Sequence, residues 1–295
     1  MFKSFSVKDI GNREAQNILK YAIAPRPICF ASTVDKDGNI NLSPFSYFNL
    51  FSGNPPVVIF SVLRRGRNNT TKHTLENVLE VPEVAINIVD FKMVQQVSLS
   101  SCEYAKGTDE FTKAGFTKEA SQLIKPPRVR ESAVQLECKV IEVKSLGNEG
   151  GAGQLIICEV LMMHIDENIL NEQGKIDQQK LQHVARLGGN WYAKISKENL
   201  FEIEKPNVQL GIGFDSLPTA IRNSKILTGN HLGQLANVHE MPEINPAFDD
   251  EKLKNIFQYF STDPYEMERE LHTYAAELLD EGKVAEAWQV LLALA

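Results

Sequence analysis

The feature that most constrains the fold is a succession of at least five strand-like segments before residue 170. Apolar runs and period-two alternations between turn residues are typical of β-strands. The segments are PICFASTV (27–34), INLSPF (40–45), VVIFSVL (57–63), VAINIVD (84–90), AVQLECKVIEVKSL (133–146) and QLIICEVLMMHI (154–165). The glycine turn DKDGN predicts a hairpin between the first two, and we expect VAINIVD to pair with VVIFSVL. The chain is therefore predicted to be mainly β.

Two short helices are predicted beside these strands. In KHTLENVLE, Asn and Thr residues precede the apolar spacing of Leu75, Val78 and Leu79, a pattern typical of a helix with a polar start. The segment FKMVQQVSLSS would place Met93, Val94 and Val97 inward. Both helices are expected to flank the sheet.

The pattern changes near residue 207, first to an irregular segment rich in Gly and Pro and then to helices. We predict helices in DDEKLKNIFQYF, in TDPYEMERELHTYAAELLDEG and in KVAEAWQVLLALA, with Asp263 as a cap, Pro264 in the first turn and Gly282 as a stop. The last two look like a single tetratricopeptide-style hairpin. Because one such hairpin cannot bury its own apolar face, we expect it to pack on the sheet domain or on a partner. The predicted domains are residues 1–206 and 207–295, the second an irregular linker with a helical extension.

Composition excludes several classes of function. The 295 residues are 43% hydrophobic and carry a net charge of -7, so the surface as a whole would repel nucleic acid and anionic lipid. The N-terminus has charges where a signal peptide needs an apolar segment, and no run is long enough to span a bilayer. We expect a cytoplasmic protein with no nucleic-acid or membrane partner, whose four cysteines are reduced and mostly buried.

A basic cluster lies at the start of the first predicted helix. Arg64, Arg65, Arg67 and Lys72 accompany the hydroxyls of Thr70, Thr71 and Thr74. A helix N-terminus carries unpaired N–H groups and a partial positive charge, so the cluster could receive a phosphate group. An ordinary solvated loop is the alternative.

The segment between residues 43 and 52 mixes polar groups with aromatic rings. Ser43, Ser46, Asn49 and Ser52 alternate with Phe45, Tyr47, Phe48 and Phe51. A planar amphipathic cofactor such as a flavin needs polar groups along its edge, apolar side chains against its faces and a separate cationic pocket for its phosphate. The two segments together supply all three, although some of the rings are expected to be barrel core.

These residues resemble the flavin reductase-like family, whose members have an FMN-binding split β-barrel. The resemblance rests on ordered elements that span about residues 20 to 205. They are RPICFASTVDKDGNINLSPFSYFN, PPVVIFSV, KHTLEN, VAINIVD and VARLGGNWY. The last is similar to a recurring Arg-Leu-Gly-Gly-x-x-Tyr motif, whereas His73 departs from the acidic residue expected after Lys72.

The resemblance implies a six-stranded split Greek-key barrel with flanking helices, and a homodimer with FMN at its interface. The positions that match the family's ring-binding and ribityl-binding residues are Asn41, Ser43, Ser46, Phe48 and Asn49. Those that match its phosphate-binding residues are Ser61, Arg65, Lys72, Thr74 and Asn77. Arg186, Gly188 and Tyr192 would complete the pocket, with a tight Gly-Gly turn and a packing aromatic as the alternative.

Two functions follow from this resemblance. The first is an NAD(P)H-dependent flavin reductase, in which NADH or NADPH reduces bound FMN and the electrons pass to a flavin, oxygen or a protein acceptor. The second is a flavin-binding electron carrier or sensor without nicotinamide activity, which docks a partner through its C-terminal helices. An FMN-dependent oxidase of a small substrate is a third, weaker candidate.

Other site chemistries find less support in the sequence. No GxGxxG follows a strand, so no dedicated dinucleotide domain is predicted. The histidines have no zinc-type spacing, so no metal site is predicted. Flavin chemistry requires no general acid or base from the protein, so no catalytic residue is predicted. Asp215 and the segment TGNHLGQL are candidates for a lid over the flavin, with a structural connection as the alternative.

Overall fold

A computed structural model describes residues 1–203, 205–206 and 209–293. The chain divides into two compact units, Met1–Phe201 and Glu202–Ala295. This division lies five residues before the boundary predicted from the sequence. Each unit has its own hydrophobic core and is described separately.

The strands of the first unit form one large antiparallel sheet and two short pairs. The strands are β1 (Cys29–Val34), β2 (Ile40–Phe45), β3 (Phe48–Gly53), β4 (Pro56–Leu63), β5 (Glu83–Ile88), β6 (Lys118–Glu119), β7 (Arg128–Val129), β8 (Val134–Ser145), β9 (Gly153–Ile165), β10 (Val184–Arg186) and β11 (Tyr192–Lys194). The large sheet has the order β2-β1-β5-β8-β9-β4-β3, and β6-β7 and β10-β11 are separate pairs.

The two edge strands of the large sheet, β2 and β3, are consecutive in the chain. Only the bend at Ser46 and Tyr47 separates them, so the sheet must curl back on itself. The backbone N–H of Ser61 on β4 donates to the Tyr47 carbonyl oxygen at 2.8 Å across this corner. The predicted barrel with flanking helices and a C-terminal helical region is confirmed, with seven strands rather than six.

One predicted strand pair is wrong, and one strand of the large sheet was not predicted. β4 lies between β3 and β9, whereas β5 lies between β1 and β8, so VVIFSVL and VAINIVD are not neighbours. β3 is not among the predicted strands, because FNLFSG does not alternate in hydrophobicity. It is an edge strand whose register shifts between Leu50 and Ser52, and such a shift removes the period-two signal.

The helices are α1 (Val7–Ala22), α2 (His73–Glu80), α3 (Val94–Leu99), α4 (Glu110–Ala114), α5 (Thr219–Arg222), α6 (Gly229–Ala236), α7 (Glu251–Tyr259), α8 (Pro264–Asp280) and α9 (Val284–Leu292). The predicted α2, α3 and α7 to α9 are confirmed. α1 was not predicted. Only Ala15 of this helix is buried, so it has no apolar stripe to recognise, and Gly11 breaks the helical geometry with a φ of 77°. In the described part of the chain no helix is both long and apolar enough to cross a membrane.

Two apolar clusters stabilise the first unit. One fills the barrel and includes Phe45, Phe60 and Ile156. The other packs α3 and α4 against the outside of β1 and β2, with Phe30 and Phe111 fully buried. The cysteines at 29, 138 and 158 are buried free thiols, as predicted, and burial raises the pKa of Cys138 to about 12.

The second unit is a small helical body with its own core. Asp263 caps α8 by accepting from the Glu266 N–H, as predicted. The apolar stripe of α8 packs with Trp288 and Leu291 of α9 and with residues of α5, α6 and α7. The expectation that the hairpin must bury this stripe on the sheet domain or on a partner is therefore wrong. The segment TGNHLGQL, expected to be a lid or connection, forms most of α6 and places Leu232 and Leu235 in this core.

Candidate functional site

The N-terminus of α2 opens into a small polar cavity. Lys72 is the N-cap residue of this helix, yet its side chain makes no capping hydrogen bond. The cavity has a volume of about 40 Å³ and is lined by Asn41, Ser43, Arg65, Lys72, His73, Thr74, Ser100, Ser101, Cys102, Glu103, Tyr104 and Glu110. Five predicted cofactor residues, Asn41, Ser43, Arg65, Lys72 and Thr74, therefore meet in one place.

Two cations of this cavity lie close together with little negative charge to balance them. Arg65 donates to the Thr70 hydroxyl at 3.1 Å and to the Thr71 carbonyl oxygen, and its Nε lies 3.9 Å from the carboxylate of the half-exposed Glu103. Lys72 is half-buried over the Phe45 ring and makes no ion pair within the described residues. Burial, and next the charge of Arg65, lower the pKa of Lys72.

The floor of the cavity is a buried polar layer. Asn41 on β2 donates from Nδ2 to the Thr74 hydroxyl at 2.9 Å, and both residues are buried. Glu110 of α4 accepts from the Leu42 backbone N–H at 2.9 Å, while burial raises the pKa of its carboxyl group. These contacts hold β2, α2 and α4 in fixed positions around the two cations.

This arrangement fits a phosphate group. A phosphate accepts hydrogen bonds from backbone N–H groups at a helix start, and it would supply the negative charge that Lys72 and Arg65 need. Hydroxyls of Ser43, Ser100 and Ser101 line the same space. Burial is the main cause of the lowered pKa of Lys72 and the charge of Arg65 adds to it, so a bound anion would stabilise both cations.

Two residues predicted for the phosphate site lie elsewhere. The Asn77 side chain is buried and donates to the Thr33 hydroxyl at 3.1 Å, so it ties α2 to β1. The Ser61 hydroxyl faces Gly153 on β9, where a Cβ atom would lie 2.8 Å away. Neither residue lines the cavity, because both side chains point into packed regions of the barrel. The sequence pattern does not show which way these side chains point.

Of the residues predicted to contact the flavin ring and ribityl chain, Ser46, Phe48 and Asn49 lie at the corner between β2 and β3, whereas Asn41 and Ser43 line the cavity at the start of α2. Ser46 occupies the bend, and Phe48 is half-buried against the barrel core. Asn49 is exposed, and its Oδ1 accepts from the Leu50 backbone N–H at 2.8 Å. The corner thus presents a hydroxyl, a ring and an amide side by side, but these three do not line the 40 Å³ cavity.

The Gly-Gly turn between β10 and β11 holds the remaining predicted residues. The Arg186 guanidinium lies 4.4 Å from the centroid of the Tyr192 ring and donates to the Trp191 carbonyl oxygen at 3.0 Å. Tyr192 is 40% exposed and lines a separate cleft of about 210 Å³ beside α3. At Gly188 a Cβ atom would lie 2.4 Å from the Tyr21 ring, so the missing side chain is required for packing.

Arg26 connects this turn to the β2–β3 corner, and the sequence analysis did not single it out. Its guanidinium donates to the carbonyl oxygens of Lys20, Ile23 and Leu187 at 2.7, 2.7 and 2.9 Å. The same group lies 5.9 Å from the centroid of the Tyr47 ring. Its signal in the sequence is an arginine between two prolines directly before a buried strand.

Other residues of the cavity were also missed. Glu103, Tyr104 and Glu110 come from the loop and helix that follow α3, about thirty residues beyond Lys72. No spacing rule connects them to the basic cluster, so only the tertiary structure brings them together. Within the described ranges, no group of three His, Cys, Asp or Glu side chains could hold a metal ion.

The barrel and the cavity at a helix start define a class of split-barrel proteins, and comparison with known proteins identifies the family. The profile of the flavin reductase like domain matches residues 21–183, more than half of the chain. The protein therefore belongs to the flavin reductase-like family. The match lies entirely within the first unit.

Individual relatives cover the same share of the chain. An uncharacterised protein of Aquifex aeolicus is 34% identical over 190 residues, which are 64% of this chain and 94% of that protein. Among solved structures, nitrilotriacetate monooxygenase component B from Bacillus cereus is 29% identical with a TM-score of 0.64, covering 69% of this chain and 99% of that one. A putative flavin reductase with a split barrel domain from Shewanella frigidimarina is 26% identical with a TM-score of 0.59, covering 69% and 100%. About a third of this chain has no counterpart in these relatives.

Proposed function

We propose that this protein is an NAD(P)H-dependent flavin reductase that holds FMN with its phosphate in the cavity at the start of α2. The observation that carries the proposal is the pair of cations, Lys72 and Arg65, at a helix start that no side chain caps. Membership of the flavin reductase-like family and the similarity to the putative flavin reductase of Shewanella frigidimarina support the same activity.

The residues around the cavity have separate tasks in this proposal. Lys72, Arg65 and the first N–H groups of α2 would hold the phosphate, while Asn41 and Thr74 support the helix start from below. Ser43 and the corner residues Ser46, Phe48 and Asn49 would orient the ring system. When bound, FMN supplies the acceptance of a hydride from a nicotinamide donor and the delivery of electrons to a flavin, oxygen or a protein acceptor.

We propose further that the protein is a homodimer with the flavin at its interface. The second half of β9 exposes three apolar side chains on one face of the sheet: Leu161, Met163 and Ile165 are 43%, 65% and 36% exposed. A contiguous apolar surface of this kind is typical of an interface. Light scattering should give a dimer mass, and Met163→Glu should give a monomer with weakened flavin binding.

A flavin-binding electron carrier or sensor without nicotinamide activity is the second candidate. It is favoured by the separate core of residues 202–295, since a body that folds on its own core can serve a partner rather than the flavin pocket. The two candidates differ in one reaction, which is the reduction of the flavin by a nicotinamide.

The test is the visible absorption spectrum of the protein saturated with FMN, followed by anaerobic addition of NADH and then NADPH. Rapid bleaching supports the reductase. Bound flavin that does not bleach supports the carrier or sensor. A protein that takes up no FMN contradicts both.

A pair of double variants tests the site itself. Arg65→Ala with Lys72→Ala should release the flavin while the fold remains, because burial of the ring cannot replace charge-assisted phosphate contacts. Arg13→Ala with Lys175→Ala removes the same charge from exposed positions and should leave flavin content unchanged. Equal flavin content in the two variants would contradict the proposed phosphate site.

A further inference from the structure

The second unit contains a cleft of its own that the flavin chemistry does not use. It has a volume of about 690 Å³, within the range of small-molecule sites. Its walls come from α6, α9 and the segments beside them. The lining residues are Lys205, Pro206, Gln209, Gln234, Asn237, Val238, His239, Pro242, Val284, Ala285, Trp288 and Gln289.

The charge of the residues that line the cleft differs in sign from the net charge of the second unit. Residues 202–295 carry 16 Asp and Glu against 7 Lys and Arg, a net charge of -9, whereas residues 1–201 carry 22 against 24, a net charge of +2. None of the lining residues is acidic, and Lys205 is basic. Among the described residues of the unit, no carboxylate lines this cleft, and such a lining favours an anionic ligand.

Hydrogen-bond donors in the cleft lack partners among the described residues. The indole N–H of Trp288 is buried and makes no hydrogen bond there, although an indole can only donate. The side chains of Gln234 and Asn237 also make none. Gln289 is different, since its amide accepts from the Asn245 N–H at 2.7 Å and donates to the Glu243 carbonyl oxygen at 2.9 Å.

The rest of the wall is apolar. The Trp288 ring, Val238, Val284 and two prolines face the same space as the donors. A ligand that complements both the apolar lining and the hydrogen-bond donors has a hydrophobic body and an acceptor group at one end. Since the available charge is a lysine, that acceptor group is an anion rather than a neutral carbonyl.

We propose that this cleft binds a small organic carboxylate with an apolar body. The carboxylate accepts from Lys205, from the side-chain amides of Gln234 and Asn237 and from the indole N–H of Trp288, and the body packs against Val238, Val284 and the two prolines. The inference does not depend on the proposed reductase activity, because every lining residue belongs to the second unit. It gives a ligand-binding role to residues 202–295, most of which lie in the third of this chain that the relatives named above do not cover.

The indole N–H resonances give a direct test. The chain has two tryptophans, of which Trp191 lies in the first unit and is 71% exposed. In the full-length protein labelled with ¹⁵N-tryptophan, sodium benzoate should move the Trp288 N–H signal downfield in a saturable manner and leave Trp191 unchanged. Trp288→Phe assigns the signal. Benzamide should bind more weakly than benzoate, and benzylamine should not bind.

Charge variants keep the test independent of Trp288, whose replacement affects the core. Gln234→Glu places a carboxylate in the cleft without changing its shape, and it should weaken benzoate binding about tenfold or more. Lys205→Gln should weaken it by a smaller factor, about threefold to tenfold, because the lysine is exposed. Lys225→Gln removes an exposed lysine that does not line the cleft and should have no effect. The melting temperature of each variant confirms that it is folded.

The possible results either support or overturn the proposed carboxylate site. A saturable Trp288 shift with benzoate, with binding that Gln234→Glu weakens about tenfold or more, supports the proposal. The absence of saturation at the solubility limit, or equal shifts with benzylamine and benzoate, overturns it. Binding that Lys225→Gln weakens as much as Lys205→Gln would also overturn it, because the effect would then reflect the charge of the whole unit.

Discussion

Lys72 shows how one residue can be costly for the empty protein and necessary for its ligand. It is half-buried beside Arg65 and makes no ion pair among the described residues. Its pKa is lowered because burial, and next the charge of Arg65, disfavour the protonated form. A folded protein that binds a proton less tightly than the unfolded chain gains stability as the proton leaves. For Lys72 this gain falls between its lowered folded pKa and the ordinary value of 10.5.

Replacement of Lys72 by Met should therefore separate stability from binding. The wild-type apoprotein should become more stable as pH rises through that window, whereas Lys72→Met should not show this rise. Binding of FMN should weaken roughly 10-fold to 100-fold in the variant, the loss expected for a hydrogen bond to a charged group. Urea denaturation of both apoproteins between neutral pH and pH 10.5, with flavin titration at neutral pH, measures both effects. Parallel stability curves would contradict this assignment to Lys72.

Gly188 is a second residue whose role is steric. The Tyr21 ring occupies the space that a Cβ atom would need, at 2.4 Å. Gly188→Ala should cost about 1–3 kcal/mol of unfolding free energy, as expected for overpacking. Gly53→Ala, where no atom lies within 4 Å of the added carbon, is the matched control. If the clash is the cause, Tyr21→Ala in the Gly188→Ala background should restore part of the loss, as measured by urea denaturation.

At the scale of elements, Glu137 joins β8 to the loop that precedes β7. Its carboxylate is fully buried and accepts from the backbone N–H groups of Gln122 and Leu123 at 2.8 and 2.6 Å, and from His164 Nε2 at 2.7 Å. Burial alone would raise the pKa of this carboxyl group, but these hydrogen bonds outweigh it, so the pKa of Glu137 lies below 4.5. The charged form is the one that holds the loop.

Glu137→Gln should destabilise the protein and change its acid response. The neutral amide cannot accept both backbone bonds equally well, so we expect a loss of about 1–3 kcal/mol. The wild-type contribution is present above pH 4.5 and is lost as pH falls through the folded pKa, so the two proteins should converge in acid. Thermal melts between pH 3 and 7 measure this. Glu142→Gln, on the exposed part of the same strand, should show neither effect.

At the scale of the whole molecule, two bodies with separate cores share one chain. The barrel of residues 1–201 is slightly basic, and the helical unit of residues 202–295 is strongly acidic. Because each core is closed within its own unit, neither fold requires the apolar contacts of the other.

A chain that ends after Phe201 should therefore bind flavin as the full-length protein does. Residues 202–295 produced alone should be helical by circular dichroism and melt cooperatively. The measurement is the flavin content of the shortened chain compared with that of the full-length protein. Loss of flavin on truncation would mean that the second unit contributes to the proposed pocket.

The part of the site that local spacing predicts is the part encoded by neighbours in the chain, whereas Asn41 and Ser43 were predicted from the family resemblance. The basic residues before α2 and the polar start of that helix lie within a dozen residues, so Arg65, Lys72 and Thr74 could be placed together from spacing alone. Asn77 and Ser61 belong to the same segments, but their orientation depends on contacts with β1 and β9. Distant segments supply Arg26, Glu103 and Glu110, and no local sequence pattern predicts that these residues lie at the site.

The sequence by itself determined the class of fold, the α2 start and helices α7 to α9 of the second unit, since periodicity, caps and turn residues act over a few positions. Only the tertiary structure decided the strand order, the pairing of β4 with β3 and β9, and the separate core of the second unit. Those features depend on which apolar faces meet across long stretches of chain. That choice is set by the packing of the whole barrel and of the whole helical unit, and no single segment contains it.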